Sequence, residues 1–444
     1  MKKLLTIFLA ITMLLSASAC GNKTEEPAAE TPTEQTVTYK VETENYSDSC
    51  TYDDGTVIAT CSFDMPRLHA YLADGTEVSD DLVASQPSEI ASKALSVVTA
   101  FNAEMDNQLA SKQTFVKEMF DWAKEGYEFS LEWEETWFEP YTEEETFTVY
   151  QTDNLVSVCM QFYDYLGGAH PNSGYDTYNF DLTTGEMVTY ADFVKDDAEF
   201  RRIVSDEILQ EIQKQGIADG LFEDYDAYVR DLAYADDCYD DNGITFIFEE
   251  YSIGPHAAGC LMFDIPYGMI ANILNERGTA LLPIGQEDIV LADFYDTREL
   301  WSYFSVCTMP TDSDSAIISD GGYDYQRVDC KGITTMQQLR DLLLVHVSDD
   351  VAEEWLESGT YREFNGVLYA CGAGRGTNIE LGDSTYSVEM MADSGTVIES
   401  TEHYDLTKYD EETHNFTVDD YVVTGYPFVL KDGHAVFSTF NCPL

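Results

Sequence analysis

The residues best suited to chemistry are seven histidines, His69, His170, His256, His346, His403, His414 and His434, set among 83 Asp and Glu. A zinc hydrolase holds its metal with imidazoles one helical turn apart, as in H-E-x-x-H or H-x-x-E-H, and no two histidines have that spacing. The G-x-S-x-G elbow and S-x-x-K pair of common serine hydrolases are absent as well. Two histidines share a context: His170 lies in GGAHPNSG, with Gly167, Gly168 and Asn172, and His256 lies in GPHAAG, with Gly254 and Gly259. Together they are either a metal or catalytic pair, for which spacing nominates no third ligand, or structural anchors hydrogen-bonded to backbone where loops cross. The surrounding residues favour anchors, because glycines open backbone geometry that a side chain blocks.

Carboxylates cluster at Glu132, Glu134 and Glu135, at Glu143, Glu144 and Glu145, and at Asp236, Asp237, Asp240 and Asp241. A glycosidase needs two that face each other across a cleft, one with a raised pKa, and adjacency in so acidic a chain selects no such pair. Neither YADDCYDDNG nor TDSDS matches a calcium loop ending in Glu. Gly372, Gly374, Arg375 and Gly376, in GAGRG, would cradle a phosphate only at a helix start. The following TNIELGDSTYSVE reads as strand, so a turn is expected, and neither metal nor cofactor.

Short strands and amphipathic helices must position these residues. VTYKVE and CTYDDGTVIATCSF pair over an Asp-Asp-Gly turn, and Pro66 ends the second strand. A helix opens at Pro87-Ser88-Glu89, carries Ile90, Ala94, Val97, Phe101 and Met105 on one face, and stops at Gly126. EFSLEWEETWF, 128–138, alternates as a half-buried strand. Hairpins turn at Asp153-Asn154 and Thr184-Gly185; helices cover about 196–214 and 225–233; two strands flank GPHAAG. A second unit has helices near 297–306, 334–346 and 351–356, then a meander of strands. The expected class is α+β in two domains, 37–285 and 290–444, each a curved antiparallel sheet packed with a few helices.

The first residues assign an address. MKKLLTIFLAITMLLSASAC has a basic start, an apolar stretch and small residues before Cys20, which resembles a bacterial lipobox. Residues 1–19 are then a signal peptide, Cys20 carries the lipid, and 20–36 is a disordered acidic tether. The expected location is the cell membrane, lipid-anchored on the extracytoplasmic face. With Lys+Arg at 23 the formal net charge is -60, which repels nucleic acid and attracts basic proteins at long range. Nine cysteines besides Cys20 form no C-x-x-C. They are expected to be mostly reduced or partly paired, with Cys50 and Cys61 a candidate disulfide.

FYDYLGGAHPNSGYDTYNFDLTTGEMVTYADFV, followed by DNGITFIFEEYSIGPHAAGCLMFDIPY, resembles the extracellular module of the lysozyme-sensing anti-sigma factor RsiV, also found before peptidoglycan deacetylase domains. The resemblance spans 37–285 and implies a noncatalytic binding module, which in the anti-sigma factor grips lysozyme, a basic protein. ITTMQQLRDLLLVHVSDDVAEEW, YREFNGVLYACGAGRGTN and YPFVLKDGHAVFSTFNCP, within 290–444, are similar to the IseA family of DL-endopeptidase inhibitors. The resemblances and the charge together suggest a membrane-anchored lipoprotein that binds or inhibits a basic cell-wall hydrolase, lysozyme or an autolysin, and is not an enzyme. Two other classes stay open: a lipoprotein binding a small ligand, cation or muropeptide, and a carboxylate-dependent cell-wall glycosidase.

Overall fold

The computed structural model describes residues 36–132, 138–232, 234–372, 378–410 and 415–443. Cys20, the signal peptide and nearly all of the tether lie outside the described residues, as do Gly374, Arg375 and Gly376.

β1 (Val37–Thr51) and β2 (Val57–Leu72) form the expected hairpin. Pro66 does not end β2. It sits opposite Thr43, beyond the stretch Ala59 to Phe63 that pairs on the other side, so its missing N–H costs no ladder bond. After α1 (Asp80–Ser85), α2 (Glu89–Glu132) begins where the Ser88 hydroxyl accepts from the Ala91 N–H at 3.0 Å. Its 44 residues span roughly 66 Å. The helix includes 128–132, where the alternating pattern suggested a strand; residues 133–137 lie outside the described residues. Gly126 does not stop it. The Tyr141 hydroxyl lies 3.1 Å from the position a Gly126 Cβ would take, so this glycine makes room for a ring rather than a terminus.

α2 returns the chain so that β3 (Tyr141–Gln151) lies parallel to β2, and β4 (Leu155–Tyr165), β5 (Asn172–Asp181) and β6 (Glu186–Met187) follow antiparallel in a six-stranded sheet. One face packs on α2, with Phe63, Val158, Met160 and Phe180 against Val97, Phe101, Met105 and Met119. Glu143 and Glu145, two apart on β3, point into this layer, where Lys112 of α2 lies 3.8 and 3.0 Å from them. Burial raises the Glu143 pKa to about 7, against the pull of Lys112.

α3 (Asp197–Lys214), capped by Asp196, and α4 (Tyr225–Asp231) precede a three-stranded sheet of β7 (Ala235–Tyr239), β8 (Gly243–Phe248) and β9 (Leu261–Pro266), then α5 (Tyr267–Ile270) and α6 (Glu276–Leu281). Phe200, Val204, Ile208 and Ile212, at the spacing read from the sequence, bury against Phe246, Phe248 and Ile265. β7 had no sequence forecast, because ADDCY looks like an acidic loop. It is the edge strand of this small sheet and docks on the other face of the large one: Asn179 Nδ2 donates to the Asp237 carbonyl at 2.7 Å, and the Tyr239 N–H donates to Ser157 Oγ at 3.0 Å.

α7 (Gln286–Ser305) starts well before the forecast helix and buries Val290, Phe294 and Trp301 in a separate core. Around it lie β10 (Ile318–Asp320), β11 (Tyr323–Arg327), α8 (Met336–His346), α9 (Asp349–Glu357), β12 (Tyr361–Phe364) and β13 (Val367–Cys371). A second four-stranded sheet follows: β14 (Leu381–Met390), β15 (Ser394–Asp410), β16 (Asn415–Lys431) and β17 (His434–Phe437). Gly372 directly follows β13, the rest of the candidate cradle lies outside the described residues, and no helix starts among described residues 378–380 before β14. The protein is α+β, as expected, with four curved sheets among the described residues, in which β2 and β3 are the one parallel strand pair.

Cys50 and Cys61 are both buried and unpaired. The register places Cys50 opposite Ala59 and Cys61 opposite Asp48, so they are diagonal neighbours and pack as small apolar side chains in the α2-facing core. No helix among the described residues is long and apolar enough to cross a membrane.

Candidate functional site

GGAHPNSG links β4 to β5 and GPHAAG links β8 to β9, and the fold brings the two together. The His170 and His256 rings stack with centroids 3.9 Å apart and planes inclined by 24°, and Tyr251 stacks with His256 at 6.0 Å. His170 Nδ1 donates to the Pro171 carbonyl at 3.0 Å, while His256 Nδ1 pairs with Glu250 Oε2 at 2.5 Å. The His170 contact fits a structural anchor; the His256 contact is to a carboxylate, not to the backbone as the sequence suggested. Among the described residues no three His, Cys, Asp or Glu side chains come together to hold a metal ion.

The other residues of these loops hold the crossing in shape. Gly167 has φ +79° and a Cβ there would lie 2.7 Å from the Tyr141 hydroxyl, the ring that also occupies the space at Gly126. Tyr141 therefore wedges between α2 and the loop, and only glycine fits both the backbone and the space at 167. Gly168 follows, with its carbonyl accepting from the Tyr165 hydroxyl at 3.2 Å, and Asn172 Nδ2 donates to Asp164 at 2.9 Å. Across the interface Gly254 packs beside Leu221, and Gly259 ends the turn at φ 67°.

Beside the histidine stack opens a cleft of about 680 Å³ that no sequence motif announced. Its walls hold five carboxylates, Asp176, Asp224, Asp236, Glu249 and Glu250, and five rings, Tyr175, Phe222, Tyr228, Tyr234 and Tyr251, with no lysine, arginine or histidine in the lining. β5 supplies one side, β7 another, and the segments after β8 and before α4 complete it. Glu249 Oε1 accepts from the Tyr175 N–H at 2.5 Å, which ties the loop after β8 to β5. Burial, then the neighbouring Asp176, pushes the Asp236 pKa up; burial also raises that of Glu249, opposed by its Tyr175 hydrogen bond. Tyr234 and Tyr251 are both exposed and both hold left-handed backbone, φ 62° and 67°. Bulky residues rarely adopt it, and such strain concentrates at ligand clamps.

Aromatic faces attract cations through their quadrupole, and carboxylates with no lysine or arginine in the lining complete a site for an ammonium or guanidinium group. The cleft suits a lysine or arginine side chain, or a small organic cation, and disfavours an anion.

Two family profiles match parts of the chain: residues 83–173 match "Deacetylase PdaC" and residues 191–268 match "Protein of unknown function (DUF3298)". The histidine crossing thus draws one strand connection from each matched segment. Among solved structures, a member of the DUF3298 family from Bacteroides fragilis is 17% identical, with 55% of this chain and 96% of that one covered at a TM-score of 0.37. A DUF3298 family protein from Pseudomonas aeruginosa is 15% identical, with 54% and 95% covered at a TM-score of 0.32. No curated protein matches the chain.

Proposed function

We propose that the protein is a noncatalytic lipoprotein, anchored through Cys20 on the extracytoplasmic face of the membrane, that binds a basic cell-wall hydrolase, lysozyme or an autolytic endopeptidase. The cleft carries this reading: five carboxylates and five rings converge with no lysine or arginine among the described lining residues, which is the complement of an exposed lysine or arginine. The net charge of -60 steers basic proteins toward it. The paired PdaC and DUF3298 matches agree with the RsiV-like resemblance of 37–285, and the IseA-like resemblance of 290–444 points to the same class of partner.

The test is binding of the purified protein to lysozyme and to a DL-endopeptidase at low and moderate salt, repeated with Asp236→Asn and Glu249→Gln combined. Binding that weakens with salt and falls roughly tenfold in the double variant supports the reading. Absence of binding to either enzyme at low salt refutes it.

A second reading has its own observation, the His256–Glu250 pair stacked on His170 at the edge of the cleft. A carboxylate-oriented imidazole is the core of a general base, and the PdaC profile carries the name of a deacetylase. Release of acetate or sugar from acetylated wall glycan, lost in His256→Ala, would favour it over binding alone.

A further inference from the structure

The free edge of β7 rests on the face of the large sheet that carries Ser157 and Cys159, two residues apart on β4 and therefore on one side. Ser157 holds the Tyr239 N–H and Asn179 holds the Asp237 carbonyl. Cys238 lies between those two anchored residues. Cys159, on the face of β4 that β7 covers, and Cys238 are neighbours across this contact, each thiol acting on the ionisation of the other, and both are half-buried.

We propose that Cys159 and Cys238 form a disulfide that ties the two sheets together beneath the cleft. The structure shows the dithiol state. Either thiol can open the exchange once it has lost its proton; with Cys159 first, Cys238 resolves. The oxidant is a disulfide of the small-molecule or oxidoreductase class. Cys159 sulfur attacks one sulfur of the acceptor and expels the other as a thiolate. Cys238 then loses its proton and attacks Cys159 sulfur in the mixed disulfide, expelling the second thiolate. Two protein thiols are oxidised and one acceptor disulfide is reduced to two thiols.

The link would close a long loop across two sheets, where loop entropy favours stabilisation. It would also set the distance between two cleft walls, since Thr177 lies opposite Cys159, next to Asp176, and Asp236 is two residues from Cys238. The linkage itself is read without any ligand, so its failure is distinct from failure of the binding reading.

The experiment treats the folded protein with glutathione disulfide, then counts free thiols and maps peptides by mass spectrometry without reduction. The expected result is loss of two thiols, a peptide joining Cys159 to Cys238, and a Tm higher by on the order of 5–10 °C that reverses with dithiothreitol. Cys159→Ser and Cys238→Ser should each abolish the joined peptide and the Tm gain, while matching the reduced wild-type Tm. A folded protein that keeps both thiols overturns the proposal. So does a linkage through another cysteine, such as Cys260, whose thiol donates to the Ser173 carbonyl nearby.

Discussion

Asp237 is 6% exposed, on the strand that joins the two sheets. Its Oδ2 accepts from the Tyr190 N–H at 3.2 Å and the Tyr239 hydroxyl at 2.5 Å, yet burial outweighs both and lifts its pKa to about 6. Between the ordinary carboxylate value near 4 and about 6, the folded state keeps a proton that the unfolded state has lost. Stability therefore falls as pH rises through that window, by on the order of 3 kcal/mol from this group, and is flat above it. Asp237→Asn removes the titration but leaves an amide oxygen to accept from both donors. The variant should match the wild type near pH 4 and exceed its Tm by roughly 5 °C at pH 8. Glu143, also held up by burial, titrates in both proteins, so the difference between the two curves isolates Asp237. Thermal unfolding followed by circular dichroism from pH 4 to 8 provides the assay. Parallel curves, with the variant offset equally at both ends, would refute the reasoning by showing that folding does not raise the pKa of Asp237.

Gly167→Ala forces a Cβ against the Tyr141 ring at a left-handed backbone position and should cost about 1–3 kcal/mol, read as a lower urea midpoint. An unchanged midpoint would mean that Tyr141 moves freely. Ser157→Ala leaves the Tyr239 N–H and Asn179 Oδ1 without their partner in a buried interface, for a loss of about 1–3 kcal/mol in the same assay. His170→Ala removes one ring of the stack and one tie between the β4–β5 and β8–β9 connections. It should lower stability by about 1 kcal/mol while binding at low salt persists; a fully folded variant that binds nothing would make His170 a contact residue.

Features set by local periodicity were legible in the sequence. The inward face of α2, with Val97, Phe101 and Met105, and the four-spaced apolar face of α3 follow from side-chain direction along a helix. Long-range contacts were not legible. Gly126 read as a helix end because nothing local reveals that Tyr141, fifteen places on, occupies its missing side chain. Pro66 read as a strand end because its tolerance depends on where β3 stops pairing. EFSLE alternates in polarity, yet it continues a 44-residue helix whose propagation is already under way. The likeness of GGAHPNSG and GPHAAG raised a joint pair of His170 and His256 only as the alternative to two backbone anchors, and the stacking of the two rings was not foreseen. The cleft was hidden because its carboxylates come from separate segments of a chain in which acids are everywhere.

In the binding reading proposed above, that abundance is also what would make the cleft selective. At physiological ionic strength charges are screened within about 8 Å, so most of the acidic surface draws basic proteins closer without distinguishing among them. Inside the cleft, Asp236 and Glu249 are already raised in pKa by burial, so ionising them there is costly until a cation arrives. A cation seated between Tyr234 and Tyr251 lowers that cost at short range, where screening is weak, and gains contact with two ring faces held by left-handed backbone. In that reading the general field would govern the rate of encounter, and the few groups of the cleft would govern what stays.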